Sequence, residues 1–97
     1  SVLDILTEEL IESGAVGVHK QVVSSQHLSR ALRAKTEEPF QTTRVNRMLT
    51  AKGFRFLTRK WWNGEACRVW TLQGEDMPVD EAIKLLDSTT GMDFLGA

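Results

Sequence analysis

The stretch QTTRVNRMLTAKGFRFLTRKWWNGEACRVWTL, residues 41–72, decides the fold of this chain. Its first third, residues 42–53, predicts a short amphipathic helix because apolar side chains recur on one face at helical spacing. Those side chains are Val45, Met48, Leu49 and the stem of Lys52. Thr42 or Thr43 can cap this helix, since a hydroxyl there accepts a hydrogen bond from an otherwise unpaired backbone N–H. Gly53 can end it, because glycine adopts the left-handed conformation without steric cost.

The remainder of the stretch, residues 54–72, predicts a β-hairpin with its turn at Asn63-Gly64. Asn-Gly is a strong signal for a two-residue type I′ turn, because both central residues need positive φ. That turn places Trp62 opposite Glu65, Trp61 opposite Ala66, Arg59 opposite Arg68 and Leu57 opposite Trp70. Two arginines directly opposite each other are destabilising by about 0.2–1 kcal/mol. An external anion between them is one explanation, and two solvated arginines or a bulge that shifts the register are others.

The positive charge is concentrated in the middle of the chain. The formal net charge is −1, but residues 20–72 carry eleven cations and three anions, a net charge of +8. Residues 1–19 carry −4 and residues 73–97 carry −5. Such segregation favours a polyanion as the partner of the middle segment. The acidic ends can also serve solubility.

Length and composition indicate one small domain. The chain has 97 residues, 41% of them hydrophobic, which is enough for a single core. No apolar run approaches the roughly 20 residues that span a bilayer, and no signal peptide is visible, so we expect a cytoplasmic protein without a membrane partner. Because the chain starts at Ser1, we expect an excised domain or a processed protein. The single cysteine, Cys67, excludes a disulfide or a cysteine-rich zinc site within these residues.

The flanking segments predict elements that support the central stretch. Apolar stripes predict helices over residues 1–13, 25–35 and 78–88. Alternation at Val16 and Val18 favours a short edge strand. Ser24 or Ser25 can cap the second helix, and Pro78 suits the first turn of the last one. The first helix is expected to pack on the core or against a second subunit.

The central helix and hairpin carry side chains suited to duplex DNA. Arginine on the helix can donate to O6 and N7 of guanine, and asparagine can bond adenine through both amide atoms. Threonine can reach phosphates or a thymine methyl, and the hairpin cations would neutralise phosphates beside the groove. The residues predicted to contact DNA are Thr42, Thr43, Arg44, Asn46, Arg47, Thr50, Arg59, Lys60, Trp61, Asn63 and Arg68.

Two tryptophans, Trp61 and Trp62, lie at the predicted hairpin tip. An exposed large apolar side chain forgoes about 1.5–3 kcal/mol of favourable burial, so the tip is expected to have a partner. The partner can be a sugar–phosphate edge, an unstacked base, another protomer or a neighbouring loop of the same domain.

No pattern in the sequence indicates catalysis. There is no glycine-rich phosphate loop, and Cys67 lies far in sequence from both histidines, without an acid pattern typical of a nucleophile. His19 and His27 are expected at the surface or half-buried, with no role as metal ligands. We therefore expect no enzymatic activity, no metal and no cofactor for these residues.

The order of helix, short strand, helix, basic helix and Asn-Gly hairpin resembles the winged-helix superfamily. The resemblance implies an α+β fold, with a helix-turn-helix and a β-hairpin wing in a single small domain, residues 1–97, and an extra C-terminal helix. TTRVNRMLTAKGF at 42–54 and RKWWNGEACRVWTL at 59–72 resemble, more narrowly, the C-terminal origin-binding domain of satellite-phage replication proteins of the alpha type. These proteins join a primase, a ring helicase and a DNA-binding module in one polypeptide.

This narrower resemblance implies specific binding of repeated duplex sites at a replication origin, in the cytoplasm of the host cell. It also implies homodimerisation and pairing with a small regulatory protein. Primase, helicase and ATPase chemistry would reside elsewhere in the parent chain. Two alternatives remain open. The domain can be a protein-interaction or transcription-regulator winged helix, with Trp61 and Trp62 as interface anchors, or it can bind single strands or RNA.

Overall fold

The computed structural model describes residues 2–37, 39–72 and 76–91, which form four helices and a three-stranded antiparallel sheet. The elements are α1 (Val2–Ser13), β1 (Val22–Ser24), α2 (Ser25–Thr36), α3 (Thr42–Ala51), β2 (Phe54–Trp62), β3 (Glu65–Leu72) and α4 (Val79–Asp87). The strand order is β1-β3-β2, so β3 lies at the centre of the sheet. The predicted α+β class is confirmed.

Apolar side chains are buried on both faces of the sheet, because successive residues of a strand point to opposite sides. On one face, Trp70 and Leu72 pack against a core formed with α1, α2 and α3. That core contains Leu3, Leu10, Val18, Val23, Leu28, Leu32, Val45, Leu49 and Phe54. On the other face, Cys67 and Val69 pack against α4. We call these faces the α3 side and the α4 side of the sheet.

The starts of the helices agree with the prediction in part. Ser24 is the N-cap of α2, as predicted, and its side chain accepts a hydrogen bond from the His27 backbone N–H. The prediction that Thr42 or Thr43 caps α3 is wrong, because Gln41 occupies the cap position and no side chain makes a capping hydrogen bond. Both threonines therefore lie within the first turn of α3.

The limits of the helices differ from the predicted limits by one or two residues. α3 ends at Ala51 rather than at residue 53, and Gly53 follows with a φ of 95°. α2 continues to Thr36, and α4 covers Val79–Asp87 because Pro78 is its N-cap rather than its first helical residue. Ser1, included in the first predicted helix, lies outside the described residues.

The edge strand lies later in the chain than the alternation of Val16 and Val18 predicts. β1 begins at Val22, which pairs with Thr71 of β3. Val18 contributes only an isolated bridge to Val23.

The hairpin register is confirmed at the tip and changes beyond a bulge. Trp62 faces Glu65, Trp61 faces Ala66 and Arg59 faces Arg68. Asn63 and Gly64 have φ values of 51° and 84°, as the turn requires. The register shifts at Leu57, so Phe56 rather than Leu57 opposes Trp70. A bulge adds one residue to one strand. Beyond it, each residue of that strand faces the partner that its neighbour would otherwise face.

In the part of the chain that the structure describes, no helix combines the length and apolar character needed to cross a bilayer.

Candidate nucleic-acid interface

Helix α3 buries one face and exposes the other, as its pattern predicts. Val45 and Leu49 are fully buried in the core. The exposed polar and charged residues are Thr42, Thr43, Arg44, Arg47 and Thr50. The Thr50 hydroxyl donates to the Asn46 carbonyl at 2.9 Å, which leaves its oxygen able to accept another hydrogen bond. The exposed face of α3 therefore presents hydroxyls and guanidinium groups together.

Arg44 lies at the edge of this face that adjoins α1. Together with Lys35 it lines a cavity of about 430 Å³. The other lining residues are Val2, Leu3, Leu6, Thr36 and Phe40. Arg47, one helical turn further along, does not line this cavity. Of the two arginines on α3, Arg44 therefore borders the cavity between α3, α1 and α2, and Arg47 lies outside it.

Asn46 is placed less favourably for base contact than the sequence suggests. Its side chain is half-buried, and its Oδ1 is enclosed with no hydrogen-bond partner among the described residues. A bidentate contact with adenine uses both the oxygen and the nitrogen of the amide. Such a contact would therefore require the Asn46 side chain to rotate outward.

Lys52, which follows α3, is neutralised within the domain. Its side chain is only 16% exposed, and its Nζ donates to Asp4 Oδ1 at 2.6 Å and also pairs with Glu8. Burial by itself would lower the pKa of Lys52, but the hydrogen bonds that its ammonium group donates to both carboxylates raise it overall. Lys52 therefore attaches α3 to α1 and adds little positive charge to the surface.

Other cations of the basic segment are also paired. Arg30 lies 2.7 Å from Glu65, Arg55 lies 2.9 Å from Asp76 and Lys35 lies 3.9 Å from Glu9. By contrast, no ion pair within residues 2–37, 39–72 and 76–91 involves Arg44, Arg47, Arg59, Lys60 or Arg68. The five cations predicted to contact DNA thus keep their charge available.

The strand register sorts the hairpin side chains onto two faces. Arg59 and Arg68 oppose each other on the α3 side, and Trp61 lies on the same face. Lys60 is paired with Cys67 and therefore lies on the α4 side. The structure brings the two arginines and Trp61 together and separates Lys60 from them.

The two tip tryptophans have opposite environments. Trp62 is 5% exposed, its Nε1 donates to Asp87 Oδ1 at 2.8 Å, and its ring meets His27 edge-on at 5.0 Å. Trp61 is 71% exposed. The tip therefore has a partner within the domain for Trp62, whereas Trp61 remains open to solvent in the described structure.

His27, in the first turn of α2, attaches the hairpin tip to the body of the domain. It is 7% exposed, so the expectation of a surface or half-buried histidine is wrong. Its Nδ1 lies 2.8 Å from Ser24 Oγ, and its Nε2 lies 3.5 Å from Asn63 Nδ2 and 3.7 Å from Glu65 Oε2. Burial lowers the pKa of His27, Glu65 acts in the opposite direction, and Arg30 lowers it further. Asn63 is thus in contact with α2 as well as exposed at the turn.

Cys67 lies beside the same histidine, with its Sγ 3.7 Å from His27 Nδ1. Sequence reasoning missed this grouping of thiol, imidazole and the Glu65 carboxylate, because 40 residues separate Cys67 from His27. The Cys67 side chain is fully buried, and burial raises the pKa of its thiol. A neutral, enclosed thiol is a poor nucleophile, so the cluster fits a packing role at the hairpin tip.

Comparison of the chain with family models, curated proteins and solved structures gives no significant match. Within the described ranges, no three side chains of His, Cys, Asp or Glu converge as metal ligands would. The assignment of function therefore depends on the geometry and charge of α3 and the hairpin.

Proposed function

We propose that this domain is a winged helix that binds duplex DNA with sequence preference, with α3 as the recognition helix and the β2–β3 hairpin as the wing. One observation carries the proposal. Five cations of α3 and the hairpin have no acidic partner in the described structure: Arg44, Arg47, Arg59, Lys60 and Arg68. By contrast, Lys52, Arg30 and the hairpin residue Arg55 are neutralised by named carboxylates. Unpaired cations on one helix and its neighbouring hairpin are suited to phosphate contacts.

The dimensions of α3 support insertion into the major groove. It has 10 residues, a length of about 15 Å at 1.5 Å per residue, and the major groove of about 12 Å width admits a helix. Arg47 would donate two of its guanidinium N–H groups to O6 and N7 of a guanine. Thr42, Thr43 and Thr50 would contact phosphates or a thymine methyl, and Arg44 would reach the backbone on the α1 edge.

The hairpin would bind phosphates beside the groove. Arg59 and Arg68 face each other with no ion pair to an acid among the described residues, and a bound phosphate would offset their mutual repulsion. Lys60, on the α4 side of the hairpin, would contribute less.

The narrower proposal is that the domain recognises repeated sites at a replication origin as part of a larger initiator. It is supported by the resemblance of residues 42–54 and 59–72 stated above. In that setting the domain binds DNA, and priming, helicase and ATPase chemistry belong to other parts of the parent chain. A small regulatory protein is a further proposed partner.

Homodimerisation is part of the same proposal. Val2 and Ile5 on α1 are 65% and 62% exposed, and Val2 also lines the cavity beside Arg44. Aliphatic side chains three residues apart on a helix lie on one face, and an exposed apolar patch of this kind marks a contact surface. We propose a second copy of the chain as its partner. A mass of one chain at all concentrations in sedimentation equilibrium would contradict a dimer.

Replacement of Arg47 tests the role of α3. A binding site is first selected from a random pool of duplexes, and the affinities of wild type and Arg47→Ala for that site are then compared. We expect a loss of about 1–3 kcal/mol, roughly 5- to 150-fold, because one bidentate base contact is removed. Lys84→Ala on α4 is the matched control and should bind as wild type does. Unchanged affinity of Arg47→Ala would exclude α3 as the recognition helix.

A further inference from the structure

The α3 side of the hairpin carries a regular row of aromatic and arginine side chains that extends beyond the core. From the base towards the tip, Phe56 opposes Trp70, Arg59 opposes Arg68 and Trp61 opposes Ala66. Phe56 is 49% exposed and Trp61 is 71% exposed. Two exposed rings therefore flank an opposed pair of arginines on one face of one hairpin.

The strand that carries Trp61 is attached to the body of the domain through its opposite face, the α4 side. The adjacent Trp62 is held on the α4 side by Asp87 and His27. Ala66, the cross-strand neighbour of Trp61, has no side chain beyond Cβ that could cover the indole. The indole thus belongs to a strand that Trp62 attaches to the body of the domain, and the facing Ala66 leaves it uncovered across the hairpin.

Phe56 forms the other end of the row. Its ring meets Trp70 edge-on, with centroids 6.0 Å apart and planes at 78°. The cross-strand partners on β3, Ala66, Arg68 and Trp70, are alternate residues of one face. Such residues lie about 6.6–6.8 Å apart, so the arginine pair lies between the two rings at about one such spacing from each. This alternation of rings and cations matches surfaces that bind unpaired nucleic acid, where bases stack on rings and cations follow the phosphates.

We infer that the α3 side of the hairpin is a stacking platform for unpaired bases, so that the preferred ligand is a duplex with a locally unpaired segment beside the α3 site. The inference depends on the proposed function, since α3 would hold the duplex part. In an intact duplex the flat faces of the bases are covered by their neighbours, so an indole can stack only on a base that has left the stack. An opened segment supplies such bases together with its own phosphates.

The surroundings of Trp61 favour nucleic acid over a protein partner. Protein-interface anchors are set in apolar, desolvated pockets, whereas the side chains next to Trp61 on this face are Arg59, Arg68 and Ala66. Two arginines that form no ion pair in the described part of the chain are costly to bury against an apolar protein surface and favourable against a strand of phosphates.

Binding to three probes tests the inference by fluorescence anisotropy. The probes are a mixed-sequence duplex, the same duplex with a central mismatched bubble, and one of its single strands. We expect the bubble to bind more tightly than the duplex. Trp61→Leu should weaken bubble binding by about 5- to 150-fold, which corresponds to one stacked base, and should leave duplex binding unchanged. Trp61→Phe should retain most of the preference, because a ring is kept while leucine keeps only apolar bulk.

Intrinsic fluorescence gives a second readout. Trp62 is buried and Trp70 is half-buried, so stacking of a base should quench the emission of Trp61. Adding the single strand should quench wild type and leave Trp61→Phe unchanged. Because Trp61 is exposed, these variants are expected to fold as wild type does, which circular dichroism verifies.

Each outcome bears on the inference. Equal affinity for bubble and duplex, with Trp61→Leu indistinguishable from wild type, would overturn the stacking platform and leave duplex binding intact. A change in sedimenting mass on Trp61→Leu without a change in either affinity would make Trp61 a protein contact and overturn it as well. Absence of binding to any probe would overturn both this inference and the proposed function.

Discussion

At the scale of single residues, Lys52 shows why charge counted along a sequence overstates charge on a surface. Its spacing predicts that the stem lies on the apolar face of α3, and the structure buries it there. Its partners Asp4 and Glu8 lie 48 and 44 residues away, a distance over which no local pattern predicts an ion pair. The net charge of +8 in residues 20–72 is therefore partly cancelled by α1.

His27 predicts a pH dependence of stability. Its pKa in the folded domain is lowered from the ordinary value of 6.5, chiefly by burial. The unfolded chain therefore binds a proton at His27 before the folded domain does. The free energy of unfolding should be highest above pH 6.5 and should fall as the pH decreases from 6.5 through the folded pKa. Urea denaturation over this range measures the effect.

The variant His27→Gln isolates the contribution of this residue to the pH dependence. It should be less stable than wild type above neutral pH, because the contacts with Ser24 and Asn63 are altered, and its stability should change less on acidification. The pKa of His19 is also lowered, by burial and then by Lys20, so His19→Gln is the matched comparison. If the free energy of unfolding changes equally with pH in His27→Gln and in wild type, His27 binds protons equally in the folded and unfolded states.

At the scale of elements, short sequence signals predicted the turn and the strand pairing next to it, because neighbouring residues determine both. Asn63-Gly64 predicted the turn, and the pairing of Arg59 with Arg68 followed from it. The sequence left a bulge open as one alternative but did not predict its position at Leu57, because the side chain of Leu57 packs on the α4 side of the sheet and no turn sequence marks that contact. The position of β1 also depends on tertiary contact, since Val22 pairs with β3 across the sheet.

The loop before α2 offers a matched pair of glycines for testing how α2 is attached. Gly14 and Gly17 have φ values of 72° and 80°, so alanine at either should cost about 1–2 kcal/mol in backbone strain. A Cβ at Gly14 would meet nothing within 4 Å, whereas one at Gly17 would lie 2.5 Å from the Cβ of His27. Gly17→Ala should therefore lose about 1–3 kcal/mol more than Gly14→Ala through overpacking.

Urea midpoints of the two glycine variants measure this difference. A displaced His27 would also release Asn63 and Trp62, so amide exchange at the hairpin tip should accelerate in Gly17→Ala and not in Gly14→Ala. Equal losses of stability in the two variants would mean that the first turn of α2 yields to the added methyl without cost.

At the scale of the whole molecule, the sequence predicted which side chains of α3 and the hairpin are exposed better than it predicted their arrangement. Arg47 is exposed on α3, and Arg59 and Arg68 oppose each other on the α3 side of the hairpin. Lys60 lies on the opposite face of the hairpin, and the oxygen of Asn46 is enclosed. These differences follow from strand phase and from the packing of α3 on the sheet, which are properties of the assembled fold.

The salt dependence of DNA binding reports how many of these cations meet phosphates. Each phosphate neutralised on B-DNA contributes about −0.9 to the slope of log K against log salt concentration. Arg68→Ala should therefore reduce the magnitude of the slope by about 0.9. Lys60→Ala, on the α4 side, should change it less, and Lys84→Ala should leave it unaltered.

The same Arg68→Ala variant separates a binding role from a structural one by the sign of its effects. The Arg68 backbone N–H donates to Gln26 Oε1 at 2.7 Å, a contact that survives loss of the side chain. Removing one of two opposed arginines should raise the stability of the free domain by about 0.2–1 kcal/mol, while DNA binding weakens. If Arg68 is solvated and contacts no phosphate, Arg68→Ala should leave the slope of log K against log salt concentration unaltered. If Arg68 has a structural role, Arg68→Ala should make the domain less stable. Only a side chain kept for an external anion makes the domain more stable and the complex weaker when it is removed.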